Sequence, residues 1–170
     1  MKTLKILSVL FLTAFFIACD SDDDVTPLGS IDLEATSITF SIVKDEGSDF
    51  TGTATITGTI TNIEEANFNS GTGQQAIRLY QRNLGAPAPG DLVATVNFTN
   101  LAAGETLTIS YMRPWNSSSP AEGEFPPDYQ IILDYDPDIF IDGNENNDDE
   151  DLTNNDLTVS GSGINDLFRN

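Results

Sequence analysis

In the stretch "TGTATITGTITN", threonine takes every second place, at Thr51, Thr53, Thr55, Thr57, Thr59 and Thr61, with Ala54, Ile56 and Ile60 between them. A period of two is the mark of an extended strand with one wet and one buried face; a helix would scatter both residue types around its axis. The alternation returns in "SITFSIV" (Ile38, Phe40, Ile42), "IRLYQ" (Ile77, Leu79) and "LVATVNF" (Leu92, Ala94, Val96, Phe98). It continues in "LTISYM" (Leu107, Ile109, Tyr111) and "YQIILDY" (Tyr129, Ile131, Leu133, Tyr135), with a last candidate at "LTVSG" from Leu157. Turn-forming clusters such as "NFNSGTG", "GAPAPGD", "NLAAGET" and "NSSSPAEG" separate these runs, and none has the spacing of an amphipathic helix of useful length.

Seven or so short strands, each with one polar face, predict an all-β fold: an immunoglobulin-like antiparallel β-sandwich over residues 31–163, followed by a C-terminal tail at 164–170. That length buries a real core without disulfides. The threonine row raises the possibility of an ice-binding array, which requires such rows to stack across several strands. Only one strand carries a threonine row in the sequence, so a solvated β-branched face is the expectation.

The beginning of the chain has a different character. Lys2 and Lys5 precede the apolar run from Ile6 to Ala18, which ends directly before Cys19, the single cysteine of the chain. This is the layout of a secretory signal (residues 1–18), and it is too short to span a bilayer, where ~20 apolar residues are needed. "FIAC" resembles the lipobox of bacterial lipoproteins, with Cys19 as the acylated residue. Acyl chains contribute ~0.8 kcal/mol per buried methylene, so Cys19 reads as a membrane tether. The following Asp20, Ser21, Asp22, Asp23 and Asp24 resemble the acidic export signal of Bacteroidetes surface lipoproteins. They open a polar stalk, residues 19–30, that also holds Pro27 and Gly29. The resemblance implies a lipid-anchored protein on the outer face of the outer membrane.

Charge and composition exclude several functions. With 7 basic against 27 acidic residues, a formal net charge of −20, the chain would repel nucleic acid. It contains no histidine, so neither a Ser-His-Asp triad nor the usual zinc site can be built. Paired carboxylates remain chemically available, but the acids cluster in turns with no cleft-forming element, and no enzyme is expected. No cofactor is required; calcium is the one metal the acidic clusters allow.

Three further motifs occur in a telling order. An Asn-containing strand end leads to an "R-L-Y" strand ("ITNIEEANFNSG", then "IRLYQRN"), "NLAAGET" supplies an L-x-x-G hairpin, and "YQIILDYDPDIFIDGNENND" runs a strand into an Asp-Pro-Asp turn and an Asn-rich end. From about Phe50 to Asn155 this resembles CARDB, the cell-adhesion-related domain found in bacteria. Glu64 and Glu65 replace the turn glycine of that family, and the connection Arg113–Asp128 is longer than its usual one. The resemblance implies a sandwich fold and an extracellular, non-catalytic role in adhesion or binding.

Two places are candidates for ligands. Asp134, Asp136, Asp138, Asp142 and Glu145 fall at the first, third, fifth, ninth and twelfth positions of a calcium-loop template, although Ile139 stands at the sixth position, where glycine is needed, and Pro137 stiffens the loop. The long loop around Trp115 could offer Tyr111, Arg113, Trp115 and Phe125 to a sugar or a protein, or Trp115 could fold back over the core. The expected function is a surface lipoprotein presenting a binding or adhesion module to an extracellular protein or glycan. The alternatives are a glycan-binding accessory of a polysaccharide-uptake system and a structural envelope component.

Overall fold

A computed structural model describes residues 29–169. The signal segment, Cys19 and the acidic run Asp20–Asp24 lie outside the described residues. Nine strands form: β1 (Leu33–Lys44), β2 (Thr51–Asn62), β3 (Phe68–Asn69), β4 (Gln75–Arg82), β5 (Asp91–Asn97), β6 (Asn100–Leu101), β7 (Thr106–Asn116), β8 (Asp128–Tyr135) and β9 (Asp156–Ser160). The seven long ones make two antiparallel sheets, β1-β2-β7 and β5-β4-β8-β9, and β3 pairs with β6 beside them. The chain passes between sheets after β2, β5 and β7, the Greek-key connection of an immunoglobulin-like β-sandwich.

The alternation sets the core. In β2 every even position from Gly52 to Asn62 is buried, and Ile56 and Ile60 meet Ile77, Leu79, Ile109, Ile131 and Leu133 between the sheets. Full burial of each such side chain contributes about 1.5–3 kcal/mol. The sheets approach closely at Gly58, where an added Cβ would strike Cγ2 of Ile131.

Strand β5 departs from the expected phase. Leu92 is 52% exposed, and Val93 packs against the core. The ladder with β4 runs Leu79 to Ala94 and then Tyr80 to Leu92, leaving Val93 as an extra residue. Such a bulge shifts every side chain before it to the opposite face.

The expected tail is instead part of the fold. Ser162–Leu167 forms helix α1, with Ile164 and Phe168 in the core. Its six residues are too few to show a helical period in sequence, and burial of one face, rather than propensity, holds it.

Only β2 carries a full threonine row, but the register sets serines and threonines of β1 and β7 beside it. Ser37, Thr59 and Thr108 lie side by side across β1, β2 and β7, as do Thr39, Thr57 and Ser110 in the next row.

Strand direction sorts the loops into two ends. Ser30, Ile31 and Asp32 enter at the end where the β2–β3 turn and the β8–β9 loop lie, through Ala66 N–H to Ser30 O (3.1 Å), Glu150 N–H to Ile31 O (2.9 Å) and Ile63 N–H to Asp32 O (2.9 Å). The β1–β2 turn, the β4–β5 turn, the β7–β8 loop and α1 occupy the opposite end.

Candidate functional site

The β7–β8 loop, whose aromatic residues could either face a ligand or fold back over the core, mostly folds inward. Trp115 on β7 is 2% exposed and donates its indole N–H to Asn165 Oδ1 of α1 (2.9 Å). Asn165 in turn donates to Glu122 O (2.6 Å), closing the loop over the ring. The Arg113 guanidinium lies 5.3 Å from the Trp115 ring centre, reaches Glu122 Oε1 at 2.6 Å and Gln81 Oε1 at 2.9 Å, and is only 20% exposed. Tyr111 is on the inward side of β7 and packs against the core. Of the four candidate binding residues, Arg113 and Trp115 are thus engaged in holding the loop and Tyr111 in packing the core. The cause is that β7 continues to Asn116, so odd positions stay on its inner face.

Phe125 is the exception. It is 52% exposed and shares a shallow hollow with Asn83, Leu84 and Ala121. Leu84, at the tip of the β4–β5 turn, is 75% exposed. Phe50, also exposed, lies on the other flank of the loop, where its carbonyl accepts from Ser117 N–H (2.9 Å). Sequence inspection missed Leu84 and Phe50; an apolar residue beside the turn formers Asn83 and Gly85 was the available signal for the first.

The acidic segment after β8 is folded around a hydrophobic residue. Asp136 caps a 3₁₀ turn (Pro137–Ile141) by accepting from Asp138 N–H (3.1 Å), and this turn buries Ile139 completely. The five calcium-template residues do not converge. Asp134 pairs with Arg78 at 2.8 Å, the Asp136 carboxylate is spent capping the turn, and Glu145 projects beside Ser30, Asp148 and Glu150. Asp142 accepts from Asn147 Nδ2 (2.9 Å), Asn144 N–H (2.7 Å) and Gln74 Nε2 (2.8 Å), hydrogen bonds that hold its carboxyl below the usual range. Among the described residues, no three acidic side chains come together as a metal-holding group. The sixth-position glycine that would wrap such a loop around an ion is replaced by the buried Ile139.

Beneath this segment lies a polar network that the sequence reading did not identify. Asp149 is buried, accepting from Tyr135 O–H (2.7 Å), Asn155 Nδ2 (2.9 Å) and, at 3.4 Å each, Leu33 N–H and Asp151 N–H. Burial pushes the Asp149 carboxyl up against the pull of these donors, and burial beside Asp149 pushes the Tyr135 phenol far up. The network ties the acidic loop to the start of β1.

No family model matches this chain, and no curated protein does. Among solved structures, a calcium-binding mutant of Bacteroides uniformis β-glucuronidase 2 aligns with a TM-score of 0.32 and 20% identity, over 59% of this chain and 11% of that one. A crystal structure of Bacteroides uniformis β-glucuronidase aligns with a TM-score of 0.31 and 19% identity, over 60% of this chain and 12% of that one. The β-glucuronidase 2 structure covalently bound to cyclophellitol-6-carboxylate aziridine gives 0.30 and 20%, over 61% and 12%. The chain spans little more than a tenth of the length of those proteins, and overlaps of this strength carry no argument about activity. The class defined by the sheets themselves is the immunoglobulin-like β-sandwich.

Proposed function

We propose that this chain is a non-catalytic surface lipoprotein, anchored through Cys19 to the outer membrane, whose sandwich presents a binding surface for an extracellular protein at its free end. The single observation that carries this reading is the separation of the two ends. The chain enters beside the acidic β8–β9 loop, where Ile63, Ile141 and Leu152 are exposed, whereas exposed Phe50, Leu84 and Phe125 lie at the opposite end, the one a tether leaves free. A tether placed at residue 19 holds the acidic end toward the membrane and the apolar loops outward, and exposed apolar side chains rimmed by polar ones mark interaction sites. The fold and export signals agree with a CARDB-like adhesion role.

Attachment of cells bearing the intact protein tests this reading. Leu84→Asp and Phe125→Ala are expected to abolish attachment at unchanged surface level; attachment equal to wild type rejects it.

A second reading, a glycan-binding accessory of a polysaccharide-uptake system, is favoured by the exposed Phe125 ring beside the Asn83 amide. A glycan array separates the two: signal lost in Phe125→Ala supports the glycan reading, and a blank array supports the protein partner. The buried Trp115 is unsuited to either test.

A further inference from the structure

We propose that the outer face of the β1-β2-β7 sheet binds ice. The outward positions fall into cross-strand rows: Glu34, Thr61 and Thr106 at the chain-entry edge; then Ser37, Thr59 and Thr108; Thr39, Thr57 and Ser110; Ser41, Thr55 and Met112; Val43, Thr53 and Pro114. Beyond Glu34 at that edge none of these positions is charged, in a chain whose formal net charge is −20. Charge crowds the two ends and the outer face of the other sheet, where Arg78 meets Asp134 and Arg82 meets Asp128. The β1-β2-β7 face is therefore the side on which a neutral surface can approach without stripping hydrated charges, which is costly.

Its chemistry selects among neutral surfaces. No aromatic side chain occurs among these positions, so the stacking platform expected of a sugar site is absent. What the face offers instead is a grid of hydroxyls and methyls. Neighbouring strands repeat at roughly 4.8 Å and outward residues along a strand at roughly 6.7 Å, twice the rise per residue. An ice face is likewise a neutral, repeating lattice in which each water both donates and accepts. A hydroxyl does both, and the threonine methyl fills the space between lattice waters without competing for hydrogen bonds.

The grid is ordered before any ligand arrives. Threonine is stiff at χ1. Thr57 Oγ1 lies 3.1 Å from Ser110 Oγ across β2 and β7, and Thr36 Oγ1 lies 3.1 Å from Thr61 Oγ1 across β1 and β2. The ladder between β2 and β7 runs without a bulge from Thr51 to Thr61. Two of these rows, Ser37-Thr59-Thr108 and Thr39-Thr57-Ser110, are all hydroxyl, and sheet twist of roughly −20 to −25° per strand limits how much of the face a flat lattice can meet. The expected activity is therefore adsorption and inhibition of ice recrystallisation rather than a large freezing-point hysteresis.

The test uses the purified full chain, slow growth of an ice hemisphere and a recrystallisation assay. Wild type is expected to enrich several-fold in the ice fraction and to keep crystals small at micromolar concentration. Thr57→Lys places a charge in the central row and is expected to lose both effects while its circular dichroism and melting curve remain those of wild type. Should that variant not fold, Ser110→Lys, exposed in the same row, serves instead. Thr95→Lys, on β5 of the other sheet, is expected to behave as wild type. Exclusion of wild type from ice, or retained activity in a folded Thr57→Lys, overturns the proposal. So does a protein inactive on ice but retained on an insoluble neutral glucan, a result that would assign the face to polysaccharide.

Discussion

Asp149 shows how much a single side chain does in this molecule. Its carboxylate holds Tyr135 O–H, the Asn155 amide and the backbone at Leu33, joining β8, β9 and the start of β1 through one loop residue. Asp149→Ala leaves those donors buried without a partner. It is expected to lower the unfolding free energy by about 2–4 kcal/mol, since each orphaned buried group costs about 1–3 kcal/mol, and urea unfolding measures it. The pH dependence has a definite sign. Burial raises the folded-state value above 3.8, so the proton is held more tightly folded than unfolded. The resulting stability is full below 3.8 and is lost as the pH rises through the raised value. Asp142 and Asp151, held low by hydrogen bonds, act oppositely: their contribution is present above 3.8 and is lost as the pH falls through their lowered values. Wild type should therefore lose stability relative to Asp149→Asn as the pH is raised from below 3.8 to neutrality; a difference independent of pH contradicts this. None of this network was legible in the sequence, where Asp149 is one of many acids in "DGNENNDDED". Asn62 ends the threonine strand, and its buried amide donates to Ala66 O (2.8 Å) and Leu101 O (3.0 Å).

At the scale of the elements, close packing between sheets sets what the strands tolerate. Gly58→Ala drives a methyl into Ile131 and is expected to cost about 1–3 kcal/mol, the range for overpacking a well-filled core. In an Ile131→Ala background, which removes the offending Cγ2, Gly58→Ala is expected to cost less than it does alone; additive costs in urea unfolding would contradict the packing account. Trp115 joins β7 to α1, and Trp115→Ala is expected to cost about 3–5 kcal/mol and to expose α1 to proteolysis. The seven long strands could be read from alternation because period two is imposed by the pleat itself. The phase of β5 could not, since a one-residue bulge leaves no mark on composition. The burial of Trp115 and the docking of α1 depend on a contact between residues 115 and 165, far apart along the chain, which local pattern does not encode. The hydroxyl rows were half visible. The threonines of β2 stand out, but their alignment with the serines and threonines of β1 and β7 emerges only from the register.

Across the whole molecule, polarity is distributed by position. Charge gathers at the two ends, exposed apolar side chains stand at both, and the outer face of β1-β2-β7 is mostly neutral, with Glu34 at its entry edge. Among the described residues no helix is long and apolar enough to cross a membrane; the proposed anchor is the acylated Cys19. Cys19→Ala is expected to release the protein from the membrane fraction and to abolish labelling by a fatty-acid analogue, a result read by fractionation.

The question beneath all of this is which end of the sandwich meets its partner. A photo-crosslinking residue installed at position 125 of the intact protein on living cells, with one at position 141 beside the chain entry for comparison, answers it directly. Covalent adducts from position 125 and none from position 141 are the expected result; adducts from position 141 alone, or from neither, would contradict a sandwich that binds at its free end.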